Sequence, residues 1–487
     1  MANKDNKKDI KGITIKKEDD FSEWYTQVIQ KADLADYSVV SGCIVYKPNS
    51  YSIWEKIRDV TDKKFKEIGV KNAYFPLFIP ESLLKKESTH VAGFTPEVAW
   101  VTHAGETKLS ERLAIRPTSE TIMYDSYSKW IRSYNDLPLK INQWNNVVRW
   151  EFKHPVPFLR GREFLWNEGH TCFATKAEAE AEREQIIGIY NDVCENYLAL
   201  PSLIGTKSKK ETFAGAEYTI SMEFVVPNGK AIQGPDFHHD GQIFSKAFDI
   251  NFLDKNGNKE YVWQNTWAIT TRMIGVLVAV HSDNKGLVLP PKLASTQVVI
   301  VPILFEDSKQ EVLKQAHEIK KKLEQKGISV NLDNRDGYTP GWKFNEWEVK
   351  GIPIRIEIGP KDLEKHQVVS VRRDNGEKQI LKITALDTEI ELILAQIQEN
   401  LFNNAKKILQ QSVVEVEDLK EAKAQLEKKK IIFAPWCGSV ECEDLFKDTT
   451  GAKSLNSPLQ QPKLKKAQKC FACSEPAKYW FHFGKSY

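Results

Sequence analysis

Three separated arginine-bearing segments constrain the fold of this chain more than any other feature. The triplet Arg-Trp-Glu at 149–151 is followed by Arg-Gly-Arg-Glu-Phe at 160–164, and Arg272 lies far downstream. A guanidinium group can clamp a phosphate through two parallel hydrogen bonds and can stack flat on a purine ring. The pattern therefore predicts a fold that assembles an ATP site from distant segments, without a glycine-rich phosphate loop.

The first two segments have the pattern of an antiparallel hairpin. Residues 140–149 predict a strand that enters a turn, and residues 163–173 predict the returning strand. Arg149 and Phe164 would then face one pocket from neighbouring strands. A surface hairpin whose charges pair with one another is the alternative, and for an isolated triplet it is the common outcome. The arginine at 272 and its surroundings favour the pocket.

Further segments flank this hairpin in an informative order. Upstream, an amphipathic helix precedes an apolar stretch with a central proline at 74–80, and downstream a strand at 262–267 precedes a helix that begins near 270–272. The apolar face of the upstream helix carries Trp54, Ile57, Thr61, Phe65 and Ile68. A proline-bearing strand, an RxE hairpin and an arginine-bearing helix in this order resemble the class II aminoacyl-tRNA synthetases. The resemblance implies a catalytic core built on an antiparallel sheet.

Several motifs narrow the resemblance. Arg-Pro-Thr-Ser-Glu at 116–120, the segments 158–170 and 341–348, and the carboxyl-terminal cysteines are similar to those of prolyl-tRNA synthetases of the archaeal and eukaryotic type, over about residues 21–487. The resemblance implies ATP-dependent ligation of L-proline to tRNA(Pro) in two steps through prolyl-adenylate, with Mg²⁺. It also implies a multidomain fold of α/β and α+β type.

Matching positions give an expected nucleotide site. Arg149 and Arg272 would be catalytic, the first holding the α-phosphate against the proline carboxylate and the second stacking on adenine opposite Phe164. Glu151 would accept from the adenine amino group, and Arg160 would steady the terminal phosphates. The expected ATP-binding set is Arg149, Glu151, Arg160, Phe164, Gln233, Thr270 and Arg272.

The expected proline site overlaps with the nucleotide site at Arg149. Thr118 and Glu120 would accept from the cationic ring nitrogen, which needs an oxygen and a nearby negative charge. Taken singly, Trp166 and Phe213 are equally typical of a core, and His170 of a structural histidine. The full set is Thr118, Glu120, Arg149, Trp166, Glu168, His170, Phe213 and His238.

One stretch departs from the family pattern. Where these enzymes usually have small hydroxyl residues before the pocket histidine, this chain has Asp236 and Phe237 before His238. An acidic and a bulky aromatic side chain predict a filled or repositioned pocket edge, without loss of activity.

The interval between Arg149 and Arg272 is expected to be used by hairpin, helix and sheet strands. The resemblance therefore implies that no editing domain is inserted there. A pocket shaped for proline cannot strongly exclude the smaller alanine by apolar contact alone, so activation of alanine is expected.

Four of the seven cysteines form a spaced cluster. Cys437 and Cys442, then Cys470 and Cys473, allow four thiolates to meet tetrahedrally around a structural Zn²⁺. A metal-free group of thiols is the alternative. The remaining cysteines lie among apolar neighbours and are expected to be reduced and buried.

The chain is expected to divide into domains at stretches that contain turn-forming glycine and proline residues. Residues 1–20 would be a flexible arm, 21–286 the catalytic domain, 287–402 an α/β anticodon-binding domain with a largely parallel sheet, and 403–487 a zinc-binding α/β module. By resemblance, Glu348, Arg355 and Lys361 match positions that read the two guanines of a proline anticodon. Taken alone, such mixed charges are typical of a solvated salt-bridged face.

Charge and hydropathy limit the partners. The net charge is only +3, so contact with a polyanion must come from local patches. No run of eighteen apolar residues or signal-peptide pattern occurs, which predicts a cytoplasmic protein without membrane association. The resemblance implies a homodimer with the strand around Pro76 at its interface, although core burial would explain that strand equally well.

Two alternatives remain open at this point. A non-catalytic, zinc-dependent nucleic-acid-binding module would explain the cysteines and nearby lysines but leaves the RxE hairpin without a role. The aromatic segment 478–487 is expected to be docked, with Tyr487 either reaching the catalytic domain, as the resemblance implies, or ending a strand of the zinc module.

Overall fold

The computed structural model describes residues 12–90, 97–151 and 154–487. Most of the arm predicted at 1–20 therefore lies outside the described residues. Among the helices that are described, none combines the length and apolar character needed to cross a bilayer.

The amino-terminal region builds one large sheet and the helices that cover it. In chain order its elements are α1 Phe21–Lys31, β1 Ala35–Tyr37, β2 Ile44–Tyr46, α2 Pro48–Glu67, β3 Lys71–Asn72, β4 Phe78–Pro80, α3 Glu81–His90, β5 Trp100–Ala104, β6 Thr107–Ile115, α4 Glu120–Trp130, β7 Leu139–Val148, β8 Glu163–Phe173, α5 Lys176–Asp192, β9 Leu203–Thr206, β10 Tyr218–Val225, β11 Lys230–Gly241, α6 Ile243–Phe248, β12 Asn251–Leu253, β13 Lys259–Tyr261, β14 Trp263–Ala268 and α7 Arg272–His281.

The main sheet is antiparallel over most of its width. Its strands run β7-β8-β14-β11-β10-β9, with β3 added in parallel to the outer edge of β7. The predicted hairpin is confirmed, because β7 and β8 pair in a register that places Val147 opposite Phe164. Strands whose order in the sheet differs from their order in the chain bring distant residues side by side.

Helices cover one face of this sheet and form its core. Trp54 and Phe65 of α2, Tyr190 of α5 and Trp267 of β14 are buried in one cluster. Residues 273–280 of α7 are all buried, as expected for a helix that is apolar on every side. The opposite face of β8 and β11 is left free to form a cavity.

The proline-containing segment at 74–80 is a shorter strand than predicted. Only β4 pairs, and it does so with β6, because Pro76 has no N–H to give to a ladder. The side chains nevertheless alternate: Phe75 and Ile79 are buried, whereas Tyr74 and Phe78 are exposed.

The next region has a five-stranded sheet. Its elements are β15 Val298–Pro302, α8 Lys309–Glu324, β16 Val330–Leu332, α9 Pro340–Val349, β17 Ile354–Ile358, α10 Pro360–Glu364, β18 Gln367–Arg372, β19 Lys378–Lys382 and α11 Leu386–Ser412. The order is β16-β15-β17-β18-β19. The first three strands are parallel, but β18 and β19 are antiparallel, so the expected largely parallel sheet is wrong for this half. The turn sequence Asp-Asn-Gly at 374–376, between β18 and β19, is a typical hairpin signal.

The carboxyl-terminal region extends the main sheet. Its elements are β20 Val413–Glu415, α12 Leu419–Glu427, β21 Ile431–Trp436, α13 Val440–Thr450, β22 Lys453–Ser454, β23 Ser457–Pro458 and β24 Tyr479–Ser486. β24 pairs antiparallel with β21 and also parallel with β11 of the amino-terminal region. Asn228 donates to the Tyr487 hydroxyl over 2.9 Å. Both alternatives for segment 478–487 therefore hold, since it completes the sheet of the carboxyl-terminal region and contacts the amino-terminal region.

The helix α11 connects all three regions. Leu401 packs in the core of the five-stranded sheet, Ala405 belongs to the core of the main sheet, and Leu409 packs beside β21. The domain boundary predicted at 402 thus lies inside a continuous helix. The boundaries remain predictions.

Candidate active site

A cavity of about 310 Å³ opens on the free face of the main sheet. With one exception, the residues predicted for the ATP and proline sites line it. They are Thr118, Glu120, Arg149, Glu151, Phe164, Trp166, Glu168, His170, Phe213, Gln233, His238, Thr270 and Arg272. The exception is Arg160, which is exposed and lines a neighbouring cavity of about 160 Å³ that shares Gln233 and Arg272 with the first.

The period of a β-strand explains much of this convergence. Phe164, Trp166, Glu168 and His170 occupy alternate positions of β8 and therefore project from one face. Arg149 follows β7, the neighbour of β8 on one side, while Arg272 begins the helix after β14, its neighbour on the other side. The sheet thus places both guanidinium groups beside the same row of side chains.

The Arg149 guanidinium is held at the cavity wall by one carbonyl and two rings. Its Nε donates to the Pro117 carbonyl over 2.9 Å, and its Cζ lies 5.6 Å from the centre of Phe164 and 5.2 Å from that of Trp166. The positive charge is therefore oriented within the cavity.

The Arg272 guanidinium forms a second wall. Nη1 donates to the Gln233 carbonyl over 3.1 Å and Nε to the Leu159 carbonyl over 3.3 Å. Burial lowers the pKa of Arg272, and Asp236 opposes this effect. Arginine nevertheless stays protonated in proteins, so the group brings a partly desolvated positive charge to the site.

Glu168 is the best-coordinated acid of the cavity. Its carboxylate accepts from the Ser119 backbone and hydroxyl, from Gln143, from Asn145 at 2.6 Å, and from His170 at 3.4 Å. Burial alone raises the pKa of Glu168, but these donors and His170 outweigh it and hold the pKa at about 2. The group is therefore a fixed negative charge.

A second carboxylate stands beside it. Glu120 is buried and accepts from the Thr118 hydroxyl. One ligand atom each of Glu120, Glu168 and His170 lies within 4.8 Å of the others. Two anionic groups so close together suit a cation, such as the ammonium group of an amino acid.

The floor of the cavity depends on a glycine. A Cβ atom on Gly169 would lie 2.2 Å from the ring of Trp267, which is directly opposite on β14. Only glycine allows this indole, which also lines the cavity, to approach the backbone of β8 so closely.

A bulge in β11 sets the remaining wall. The pairing with β10 passes from Ser221–Asp236 to Glu223–Gln233, so β11 contains one extra residue at the Gly-Pro pair 234–235. The extra residue brings Gln233 and Asp236 to the same face, and Gln233 Nε2 donates to Asp236 Oδ2 over 2.9 Å.

The expected change at the pocket edge is correct for one residue only. Asp236 lines the cavity, as does His238 two positions later. Phe237 points to the opposite face of β11 and is fully buried in the core. The expectation that its ring fills the pocket edge is wrong, because neighbouring strand residues face opposite sides.

Several supporting residues were not predicted. The Thr219 hydroxyl lies 2.8 Å from His238 Nδ1, and Phe213 N donates to the same hydroxyl over 3.0 Å. Ser119 and Gln143 bind Glu168, and Glu211 lines the cavity. No local sequence signal identifies Thr219, because its role arises from the pairing of β10 with β11.

The structure unites two of the three predicted anticodon residues. Glu348 of α9 and Arg355 of β17 line one small cavity, and Lys361 of α10 is not among its lining residues. Lys285 contacts Glu348 at 3.0 Å, while Arg355 pairs with Glu357 at 2.8 Å and lies 4.3 Å above the ring of Phe344.

The four predicted cysteine ligands also meet. Sγ atoms of Cys437 and Cys473 are 3.6 Å apart, as are those of Cys442 and Cys470, and all four lie within 4.8 Å of one another. The neighbouring Cys442 thiol lowers the pKa of Cys470. With Zn–S bonds of about 2.3 Å, sulfurs at such separations fit a tetrahedral Zn²⁺ site.

Comparisons with known proteins agree with this geometry. Residues 101–281 match the class II core domain of tRNA synthetases (G, H, P, S and T), residues 297–392 an anticodon binding domain, and residues 419–487 the prolyl-tRNA synthetase C-terminal domain.

Whole-chain relatives extend the match. The chain is 48% identical to a cytoplasmic proline–tRNA ligase of Arabidopsis thaliana, over 99% of this chain and 93% of that protein. It is 49% identical to proline–tRNA ligase 2 of Bacillus thuringiensis subsp. konkukian, over 99% and 100%. A solved Cryptosporidium parvum prolyl-tRNA synthetase, in complex with halofuginone and AMPPNP, superposes with a TM-score of 0.94 at 46% identity, covering 98% of this chain and 100% of that one. The chain belongs to the prolyl-tRNA synthetase family.

Proposed function

We propose that this chain ligates L-proline to tRNA(Pro) at the expense of ATP, through prolyl-adenylate, in support of translation. One observation carries the proposal: a single cavity joins two guanidinium groups, Arg149 and Arg272, to the paired carboxylates of Glu120 and Glu168. The cationic half suits a nucleotide, and the acidic half suits an ammonium group.

In the first step, a proline carboxylate oxygen attacks the α-phosphorus of ATP and pyrophosphate leaves. Arg149 would neutralise charge that develops on the α-phosphate, and Arg160 at the neighbouring cavity would bind the terminal phosphates. Phe164 and Arg272 would enclose adenine, Glu151 would accept from its amino group, and Gln233 and Thr270 would bind ribose or phosphate oxygens. Mg²⁺ would accompany ATP, since phosphate and carboxylate oxygens are its preferred ligands, and would neutralise phosphate charge.

Proline would occupy the acidic half of the cavity. Its ring ammonium would donate to Glu120 and Thr118, whose oxygens already share a hydrogen bond. Trp166 and Phe213 would contact the ring methylenes, and His170 and His238 would complete the wall beside Glu168. The methylene contacts provide apolar area, and the two carboxylates provide the charge selection.

Proline-dependent exchange of pyrophosphate into ATP tests the first step. Proline should support exchange, and amino acids with larger side chains should not. Alanine should support slow exchange and yield stable alanyl-tRNA, because an apolar pocket discriminates poorly against a smaller ligand. Rapid hydrolysis of alanyl-tRNA by the protein would contradict the expected absence of an editing domain, and a lack of exchange with proline would contradict the proposed function.

We infer three functional units that correspond to the predicted spans 21–286, 287–402 and 403–487. The middle unit would bind the anticodon of tRNA(Pro). Arg355 can donate to the acceptors on the Hoogsteen edge of guanine, and Glu348 can accept from its N1 and N2 donors. Lys361, outside their shared cavity, would contribute a weaker contact.

We propose that Cys437, Cys442, Cys470 and Cys473 hold a structural Zn²⁺. Four thiolates leave no position for water or substrate, so the ion would stabilise the fold of the module. Metal analysis should find one zinc per chain, and Cys442→Ser should lose it and lower the thermal stability of the module. Cys194→Ser, at a buried cysteine outside the cluster, is the matched control.

We propose that the chain is a homodimer that acts in the cytoplasm. Tyr74 and Phe78, on either side of Pro76, are 71% and 44% exposed, which is typical of an interface and not of a core. Sedimentation should give twice the mass of the chain, and Tyr74→Glu with Phe78→Glu should give the single mass. Ile380→Glu, a comparably exposed apolar position on β19, should leave the mass unchanged. A monomeric wild-type protein would overturn the proposed dimer.

A further inference from the structure

Asp236 stands between the two halves of the cavity. Its Oδ2 accepts from Gln233 Nε2 over 2.9 Å, and its Oδ1 lies 3.6 Å from His238 Nε2. Gln233 belongs to the proposed nucleotide side and His238 to the proposed proline side. With both ligands bound as proposed, the bond between the prolyl carbonyl and the α-phosphate would lie at this junction, so the carboxylate would be close to the atoms that react.

The hydrogen-bond pattern makes Asp236, and not His238, the available base. Thr219 Oγ1 accepts from Phe213 N over 3.0 Å and lies 2.8 Å from His238 Nδ1. With its hydroxyl hydrogen directed at Nδ1, the imidazole hydrogen would be on Nε2, facing Asp236, and the ring would have no free nitrogen to act as a base. Burial also lowers the pKa of His238, which keeps the ring neutral. The acceptor at this position is therefore the carboxylate.

A second cavity, the one proposed for the terminal phosphates of ATP, adjoins the main cavity and would be open to an anionic chain once pyrophosphate has left. It measures about 160 Å³, lies between the catalytic region and the carboxyl-terminal module, and shares Gln233 and Arg272 with the main cavity. Its charged lining consists of the cations Arg160, Lys207, Arg272 and Lys453 and the acids Glu211 and Glu223. Lys207 and Glu223 pair at 2.8 Å, so the remaining charges are mostly positive. A cavity with this excess of positive charge suits phosphate groups at the end of a single-stranded RNA.

We propose that Asp236 is the general base of the transfer step, an inference that rests on the proposed function. The terminal ribose hydroxyl of the tRNA gives its proton to the Asp236 carboxylate while its oxygen bonds to the prolyl carbonyl carbon. The bond from that carbon to the phosphate oxygen breaks, and AMP leaves with the electron pair. The proton then passes to solvent. Formation of the adenylate involves no such proton, so it does not need this base.

A carboxylate at 236 places a proton acceptor between the two halves of the cavity. General-base assistance is worth at least about 10²-fold in typical enzymes. The carboxylate should accordingly affect transfer much more than adenylate formation.

The test separates the two steps in the full-length protein. Asp236→Asn is nearly isosteric and removes the base. We expect it to slow single-turnover transfer from enzyme-bound prolyl-adenylate to tRNA by about 10²-fold, with pyrophosphate exchange slowed by less than about 3-fold. Asp236→Glu should recover part of the transfer rate. Asp448→Asn, at an exposed carboxylate of α13, should match the wild type in every assay.

Different results overturn different statements. Equal slowing of exchange and transfer in Asp236→Asn would overturn the assignment of Asp236 alone. A wild-type protein that shows no proline-dependent exchange would overturn the proposed function together with this step. Should Asp236→Asn not fold, Asp236→Thr removes the carboxylate with a smaller side chain and must show the same selective loss of transfer.

Discussion

The cavity of the main sheet and the proposed anticodon face, the surface around Glu348 and Arg355, differ in which groups neutralise their charged side chains. In the cavity, Glu168 is buried and its donors all belong to the surrounding fold. On the anticodon face, Glu348 is paired with the largely exposed Lys285, and Arg355 is paired with Glu357 on its own strand. The first site is organised before any ligand binds, whereas the second must exchange these pairs for RNA contacts.

This difference has an energetic consequence. A buried, fully bonded group supports both the fold and the chemistry, so its loss should affect stability and rate together. The more exposed Lys285–Glu348 pair contributes little to folding, so its loss should affect RNA affinity more than stability. The Arg355–Glu357 pair is 14% and 11% exposed, so its loss should also affect the fold. Substitutions at the two sites can therefore be compared in the same assays.

The largest effect is expected at Arg149. Arg149→Ala removes the cation beside the proposed α-phosphate and should reduce proline-dependent pyrophosphate exchange by about 10³-fold, the upper range for loss of one oriented donor. The melting temperature should change little, because the side chain makes one hydrogen bond, to the Pro117 carbonyl. Arg58→Ala on the exposed side of α2 is the matched control. A decrease below 10-fold would contradict the central role of this guanidinium.

The next effect combines stability with pH. Hydrogen bonds hold the pKa of Glu168 at about 2, against an ordinary value of 4.5, so the folded state binds fewer protons than the unfolded state between these values. The contribution of Glu168 to the free energy of unfolding should be complete above about pH 4.5. It should decrease by about 3 kcal/mol as the pH falls towards 2. Urea unfolding between pH 6 and pH 3 measures this slope.

The Glu168→Gln variant checks the assignment. It keeps the shape but removes the charge, so it should be less stable at pH 7 and should show a smaller pH slope. Its affinity for proline should also fall, because the ammonium group loses one of its two anions. The same slope in variant and wild type would show that another group titrates.

A smaller and more selective effect is expected at Arg355. Loss of a specific base contact costs about 2 kcal/mol, so Arg355→Ala should lower kcat/KM for tRNA by about 30-fold. Pyrophosphate exchange should stay unchanged, in contrast to Glu168→Gln, while the melting temperature should fall because the buried Glu357 carboxylate loses its partner. A fall in exchange comparable to the fall in aminoacylation would contradict the proposed separation of the sites.

The smallest effect is expected at Lys361, which lies outside the cavity shared by Glu348 and Arg355. Lys361→Ala should weaken tRNA binding by less than about 1 kcal/mol and reduce the salt dependence by about one unit of slope. An effect as large as that of Arg355→Ala would place Lys361 directly on a base.

The family resemblance supplied the individual residues of the proposed site, and strand periodicity explains why the structure brings them together. The even positions of β8 from Phe164 to His170 face one cavity because alternate residues project together, and Arg149 and Arg272 join them through the neighbouring strands. The cysteine cluster followed from ligand spacing alone. Both are patterns that the linear order of residues already contains.

Other features depend on contacts that no local pattern specifies. Whether Phe237 or Asp236 faces the cavity depends on a bulge in β11, and the support of His238 by Thr219 depends on the pairing of β10 with β11. Predicting these features requires knowledge of the pairing register of the strands, which is set by tertiary packing.

The helix α11 has a mechanical consequence. Its 27 residues form a rod of about 40 Å, with its first half embedded beside the anticodon face and its last turns wedged against the catalytic core and the cysteine module. A helix packed at both ends resists bending, so we expect a tilt imposed at one end by a docked tRNA to displace the other end. The helix would in this way link the proposed anticodon site to the shape of the distant cavity.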